Sequence, residues 1–297
     1  MLALLPQVIV VGLLMGAVYS LMALGITFIA SIMKLINWSM GEFYMLGSYL
    51  QLLLITRLLG PTLWWLAVPL AALGAFSLGL VLQRLLLAPM FASGEAHRFE
   101  YATIVTIALS VLFQNVAIWV AGPTQSRPPD YLPTISLAAL GLALNGSRLA
   151  AAVAALVILV LFWLFVRRTT VGLAFLGVAQ NRLGAQTAGI TLARVDMLAF
   201  GIGVGLAAAA GALLAPIFLV YPTNGATAAM KGFEVIVIGG LGSLPGAVVA
   251  AFALALVESF GSVFVSPSYQ DLYGFVFLIA FLVLRPQGLF GERERRV

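Results

Sequence analysis

The chain has 297 residues, of which 63% are hydrophobic and only 8% are Asp, Glu, Lys or Arg, with a mean hydropathy of +1.13. Soluble domains carry about 25% charged residues, because they must keep a polar exterior. A soluble enzyme, a disordered regulator and a fibrous protein are therefore excluded, and an integral membrane protein is left.

The uncharged runs mark the predicted spans, since a helix needs about 20 apolar residues to cross the hydrocarbon core. Met1–Met33 comes first. It has no positive n-region, its apolar run is too long, and no clear A-x-A site follows, so it reads as a retained helix rather than a signal peptide. Leu35–Thr56 is interrupted only by Glu42. Leu58–Gln83, Tyr101–Ser126, Leu149–Val166, Met197–Met230 and Val235–Val257 follow, then a short run, Leu272–Leu284, extending back through Tyr269. Broad apolar faces argue for helices over barrel strands, which alternate over about ten residues. The expected fold is all-α: one polytopic bundle over 1–297, with about 8–9 membrane segments including a broken or re-entrant one.

Lys and Arg concentrate in cytoplasmic loops. Placing Arg167, Arg168, Arg182, Arg194 and the tail residues Arg285, Arg293, Arg295 and Arg296 inside fixes the rest by alternation. Lys34, Arg84 and Arg98 then join them, and Arg57, Arg127 and Arg148 fall outside, with Lys231 set aside as intramembrane. The expected orientation is N-terminus outside, C-terminus inside. It requires residues 228–263 to cross an even number of times around Gly239-Gly240-Leu241-Gly242-Ser243-Leu244-Pro245-Gly246, which breaks a helix. Two readings fit: segments meeting at a break in the transport route, or a tight cytoplasmic turn.

Charges inside apolar runs are the candidate functional residues, because they usually face a bundle interior or a water-filled route. Glu42 reads either as a pathway or interface residue, or as a boundary carboxylate paired with Lys34 or an arginine. Lys231 and Glu234 stand three apart, on one face of a helix, and form a candidate ion pair. Glu258 has no local basic partner. His97, beside Arg98, reads as a solvated loop residue.

Zero cysteines remove disulfides, thiolate zinc sites and cysteine nucleophiles, and a single histidine removes paired-histidine metal sites. Neither lysine follows a phosphate-binding glycine loop and no Gly-x-Ser-x-Gly elbow occurs, so neither ATP hydrolysis by a Walker loop nor serine hydrolysis is expected of this chain.

Three stretches together resemble the permease subunit of branched-chain amino acid ABC importers, of LivH type. The first is Gly16-Ala17-Val18-Tyr19-Ser20-Leu21-Met22-Ala23-Leu24-Gly25 continuing to Lys34-Leu35-Ile36-Asn37-Trp38-Ser39-Met40-Gly41-Glu42-Phe43-Tyr44-Met45-Leu46-Gly47-Ser48-Tyr49. The second is Gly172-Leu173-Ala174-Phe175-Leu176-Gly177-Val178-Ala179-Gln180-Asn181, running on to Ala185 and Gly189. The third is Gly239–Ala247, with Glu258 downstream and Arg285-Pro286-Gln287-Gly288-Leu289-Phe290-Gly291 at the end. The likeness covers nearly the whole chain in order. It departs at Met40, where the family has histidine, and at Leu176, where it has arginine.

The resemblance implies an inner-membrane importer whose ATP is held by two separate ATPase subunits. A second related permease of LivM type and a periplasmic solute-binding protein complete it. No cofactor, metal or nucleic acid is expected on this chain, whose other partner is the bilayer. Residues 167–196 would be the cytoplasmic coupling region, with Gly172, Ala179, Asn181, Arg182, Gln186 and Gly189 toward the ATPase. Asn37, Ser39, Gly41, Glu42, Gly240, Gly242, Ser243 and Glu258 are the candidate pathway residues. Related permeases carry branched-chain amino acids, urea, short amides or aromatic acids. An ion-driven secondary transporter and a passive channel are the alternatives from other classes.

Overall fold

The computed structural model describes residues 4–91, 97–137 and 142–291. The tail arginines Arg293, Arg295 and Arg296 lie outside these. Among the described residues eleven α-helices follow one another: α1 Leu5–Met33, α2 Met40–Leu53, α3 Trp64–Leu82, α4 Arg98–Ala121, α5 Gly146–Arg168, α6 Thr170–Gln180, α7 Arg182–Thr187, α8 Leu192–Leu214, α9 Asn224–Gly239, α10 Leu244–Phe264 and α11 Gln270–Leu284. Seven helical spans are long and apolar enough to cross a membrane. Two further segments join them: α2, extended by a π-helical turn over Leu54–Leu59, and the 16-residue α9. The chain is a polytopic helical membrane protein. One short antiparallel ribbon, Ile135–Leu137 with Leu142–Leu144, interrupts the α4–α5 connection.

Small residues set the packing. With lipid outside, helices associate through close van der Waals contact, which favours Gly and Ala at interfaces. The α8 sequence Gly201-Ile202-Gly203-Val204-Gly205-Leu206-Ala207-Ala208-Ala209-Ala210-Gly211 supplies it, and 83% of this span is buried. Gly203 faces the Gly25 carbonyl of α1, Gly211 the Tyr44 carbonyl of α2, and Gly201 the Phe76 ring of α3. By contrast α4 and α11 are peripheral, with 17% and 6% of their spans buried.

The polar connections sort to two ends. At one, Arg182 of α7 donates to the Ile32 carbonyl at the end of α1, the Arg182 and Arg98 guanidiniums lie over the Phe91 ring, and Gly242 approaches Ser31. Arg127, Arg148 and Pro267 belong to the other, where Ser126 and Val220 exchange backbone hydrogen bonds of 2.9 and 2.8 Å. There Tyr131 donates to the Ala212 carbonyl, and burial pushes its phenol above its ordinary pKa, so it remains a donor.

The break between α9 and α10 is a tight turn at the Lys34 end. Gly240 and Gly242 have φ of 95° and 86°, and Ser243 caps α10 by accepting from the Gly246 N–H at 3.2 Å. Residues 224–264 therefore supply two helices joined by this turn, of which α10 is long and apolar enough to cross a membrane. The segment 285–291 folds onto this turn: the Leu289 and Phe290 N–H groups donate to the Ile238 and Gly239 carbonyls at 2.8 and 3.1 Å. Gly242→Ala meets no atom closer than 3.8 Å, so its cost is purely conformational, about 1–2 kcal/mol for a left-handed residue with a β-carbon. Gly240→Ala adds a clash with Gly291 N at 2.6 Å and should melt earlier than Gly242→Ala in detergent. Equal melting temperatures would contradict this account of the turn.

Candidate functional site

The largest concentration of buried charge lies where α1, α9, α10 and α11 meet. The Lys231 ammonium pairs with Glu258 at 2.5 Å, Asp271 at 3.0 Å and Glu234 at 3.9 Å. The Tyr19 hydroxyl and the Gln270 amide donate to the other Glu258 oxygen at 3.2 and 3.1 Å. Gly274 of α11 lies over the cluster; a β-carbon there would stand 2.6 Å from Glu234 and 3.1 Å from Glu258. Its lack of a side chain is what lets α11 close over the Glu234 and Glu258 carboxylates and the Lys231 ammonium.

The local pair expected of Lys231 and Glu234 is present at 3.9 Å, within a larger cluster. The tight partner is Glu258, 27 residues away on the antiparallel helix. Glu234 is 3% exposed, and neither of its oxygens accepts a hydrogen bond. Unpaired buried charge costs several kcal/mol, about 3–5 when one partner of a buried pair is removed, so Lys231 holds the cluster together.

Two cavities open beside it. One, of about 480 Å³, has Tyr19, Lys231 and Asp271 on one wall, Met22, Leu214, Ile217 and Phe218 as apolar surface, and Asn224 nearby. The second, about 390 Å³, includes Tyr19, Glu258, Gln270 and Arg148. Both face the end that carries Arg148 and Pro267.

The other candidate pathway residues are distributed differently. Asn37 and Ser39 are buried in the link before α2, where the Asn37 carbonyl oxygen accepts from the Ser39 N–H at 3.0 Å and its hydroxyl at 2.7 Å. Gly41 abuts the Gly225 carbonyl. Glu42 is buried against α4, accepting from Ser110 at 2.7 Å and Gln114 at 2.9 Å, with no lysine or arginine partner among the described residues, and its second oxygen accepts no hydrogen bond. It therefore ties the peripheral α4 to the bundle. Gly240, Gly242 and Ser243 form the turn already described, and Gly242 lines a smaller cavity of about 290 Å³ with Lys34 and Phe99. Of the eight, only Glu258 belongs to the charged cluster. Tyr19, Gln270 and Asp271 were not among the candidate pathway residues: Tyr19 stood out only within an apolar run and the first family-like stretch, and the others as boundary residues of a short span.

Between the end of α5 and the start of α8, the 167–196 stretch folds into two helices, α6 and α7. Thr169 caps α6 through the Gly172 N–H at 3.0 Å, and Asn181 caps α7 through the Gly184 N–H at 2.9 Å. Asn181, Gln186 and Gly189 are exposed, Ala179 is half-buried, and Gly172 is buried at the α5–α6 corner. Leu183 projects at 75% exposure. Arg182 turns inward instead, making a two-pronged pair with Asp196 of α8 at 2.9 and 2.7 Å.

The sequence profile of the family described as branched-chain amino acid transport system / permease component matches residues 8–284. The high-affinity branched-chain amino acid transport permease LivH of Salmonella typhimurium is 31% identical over 95% of this chain and 94% of its own. BraD of Pseudomonas aeruginosa, a permease of the same description, is 29% identical over 97% and 96%. The autoinducer 2 import permease LsrC of Klebsiella pneumoniae is 31% identical over 62% of this chain and 54% of its own. No solved structure matches. With the profile spanning nearly all its helices, the chain belongs to the permease-component family of branched-chain amino acid transport systems, whose members are transport subunits rather than enzymes.

Proposed function

We propose that this chain is the permease of an ATP-driven importer for branched-chain and other hydrophobic amino acids. It provides part of the translocation passage within one membrane domain, and residues 167–196 couple it to separate ATPase subunits. A second, related permease and a periplasmic solute-binding protein complete the assembly, and ATP is bound by the partners. The observation that carries the coupling reading is the exposed α6–α7 face. Leu183, Gln186 and Gly189 project at the end of the bundle that gathers Lys34, Arg98, Arg182 and Arg194. Basic residues flanking spans favour the cytoplasm, which puts α6 and α7 inside, the N-terminus outside and the C-terminus inside. Asn37, Ser39, Gly41 and Glu42 support the passage by fixing α2.

The buried charges favour one other reading, an ion-driven carrier, because intramembrane Lys and Glu also serve in such proteins. Liposomes decide between the two. The chain alone should give no concentrative leucine uptake; adding ATPases, partner permease, binding protein and ATP should restore it. Uptake by the chain alone, abolished by a protonophore, would defeat the importer reading. The native chain has no cysteine, so Gln186→Cys and Ser268→Cys report orientation. The first should label only from the cytoplasm and the second only from the periplasm; the reverse would overturn the assignment.

A further inference from the structure

We propose that the 480 Å³ cavity is a zwitterion site, which takes an aliphatic amino acid by admitting its head group into the Lys231–Asp271 ion pair. This rests on the reading of the chain as an amino acid permease and locates where the chain itself holds its cargo.

The two carboxylates closest to Lys231 differ in freedom. Glu258 is 1% exposed, 2.5 Å from the ammonium and fixed by Tyr19 and Gln270. Asp271 stands 3.0 Å away in the first turn of α11, with its side chain 62% exposed. When Asp271 swings out, Lys231 keeps Glu258 and stays charged. A zwitterion entering the gap gives its carboxylate to Lys231 and its ammonium to Asp271. One ion pair becomes two, and the net charge of the wall is unchanged. A molecule with only one of these charges leaves either Lys231 or Asp271 with a single former partner lost and nothing gained.

An independent observation marks the cavity as a polar binding site. Asn224 is 8% exposed and lines the same cavity, seven residues before Lys231 and so on the same helix face. Its amide donates to Ser48 and Leu219, while its carbonyl oxygen is buried and accepts no hydrogen bond. Buried acceptors are ordinarily paired, so this unpaired oxygen makes the wall polar about 10 Å along α9 from Lys231, beyond the position of the head group. The apolar part of the lining includes Met22, Leu214 and Ile217 and suits a branched side chain. The volume lies within the roughly 300–1,000 Å³ typical of small-molecule sites.

The test is equilibrium binding of radiolabelled L-leucine to the purified permease assembly in nanodiscs, without binding protein. Saturable binding is expected. Leucinamide, which lacks the carboxylate, and 4-methylpentanoate, which lacks the ammonium, should compete at least tenfold more weakly than leucine. Asp271→Asn, whose exposed side chain makes it compatible with folding, should weaken leucine binding at least tenfold, and Asp271→Glu should recover part of it. Monodisperse elution and an unchanged melting temperature establish that each variant is folded. Wild-type binding by Asp271→Asn, or equal competition by either analogue, overturns the proposal. So does absence of leucine binding in an assembly whose complete complex imports leucine, which leaves the importer reading intact. Concentrative uptake without ATPases overturns that reading instead.

Discussion

Arg182→Ala should destabilise the folded permease by about 3–5 kcal/mol, the range for breaking a buried pair by removing one partner. Asp196 is 1% exposed in the first turns of α8, and both its oxygens are held by the Arg182 guanidinium at 2.9 and 2.7 Å. Without the arginine, the carboxylate stays buried with neither of its hydrogen bonds, and only the Arg98 charge is left to act on it. The same guanidinium donates to the Ile32 carbonyl, which α1 leaves free at its end because a helix cannot satisfy its last carbonyls internally. One side chain thus ties together the C-terminus of α1, the start of α7 and the start of α8. Arg182→Glu should be worse, since it sets a second negative charge against Asp196. The double variant Arg182→Ala with Asp196→Ala should recover much of the loss, because it removes both charges. Intrinsic tryptophan melting in detergent and resistance to trypsin read the stability. An Arg182→Ala protein as stable as wild type would show that the pair contributes nothing. Loss of transport in Arg182 variants therefore cannot by itself report ATPase docking. Gln186, exposed and without a helix to hold, is the cleaner probe: Gln186→Arg should alter coupling while leaving the melting temperature in place.

The contrast between Arg182 and Gln186 shows which parts were legible in the sequence. Spans were legible because their signal is local: a run of about 20 apolar residues has one physical use. The sorting of basic residues to one end was legible for the same reason, each flanking a run. The turn at 239–246 was visible in its glycines and proline, but its depth was not. Whether Gly240–Ser243 lies at the bundle end or inside depends on how far α9 reaches. Ion pairing was the least legible. Lys231 and Glu234 are three residues apart and suggested each other, yet antiparallel packing of α9 on α10 brings Glu258 closer, at 2.5 against 3.9 Å. Arg182 and Asp196 lie 14 residues apart in the stretch expected to couple to the ATPase. Only the α7–α8 corner folds the arginine inward. Asn181 and Ser243 carried polar side chains that suggested partners or substrate, and each is spent on capping a helix, a local use worth about 1 kcal/mol.

Gly47→Val should prevent stable assembly of the bundle. In α2, Gly47 lies against the α8 backbone: a β-carbon built there would stand 2.6 Å from both Cα and C of Ala208, and nearer still to its carbonyl oxygen. Three residues along α8 from Ala208, Gly211 makes the reciprocal approach to Tyr44 of α2, with 2.8 and 3.1 Å to its C and Cα. The two glycines bracket a seam in which one backbone rests on the other. Overpacking a core by a methylene typically costs about 1–3 kcal/mol, because neighbouring side chains shift. Here the obstacle is main chain on both sides, so α2 must move away from α8 as a unit. That movement would also disturb Glu42, whose hydrogen bonds to Ser110 and Gln114 join α4 to α2. Gly74→Val is the matched control: it adds the same side chain to an exposed face of α3, where the nearest atom to a β-carbon is Leu50 Cδ1 at 3.4 Å. Gly74→Val should elute monodisperse and melt within a few degrees of wild type, whereas Gly47→Val should aggregate or be degraded after membrane insertion. Should the two variants behave alike, the close α2–α8 seam is not what holds the centre of the bundle.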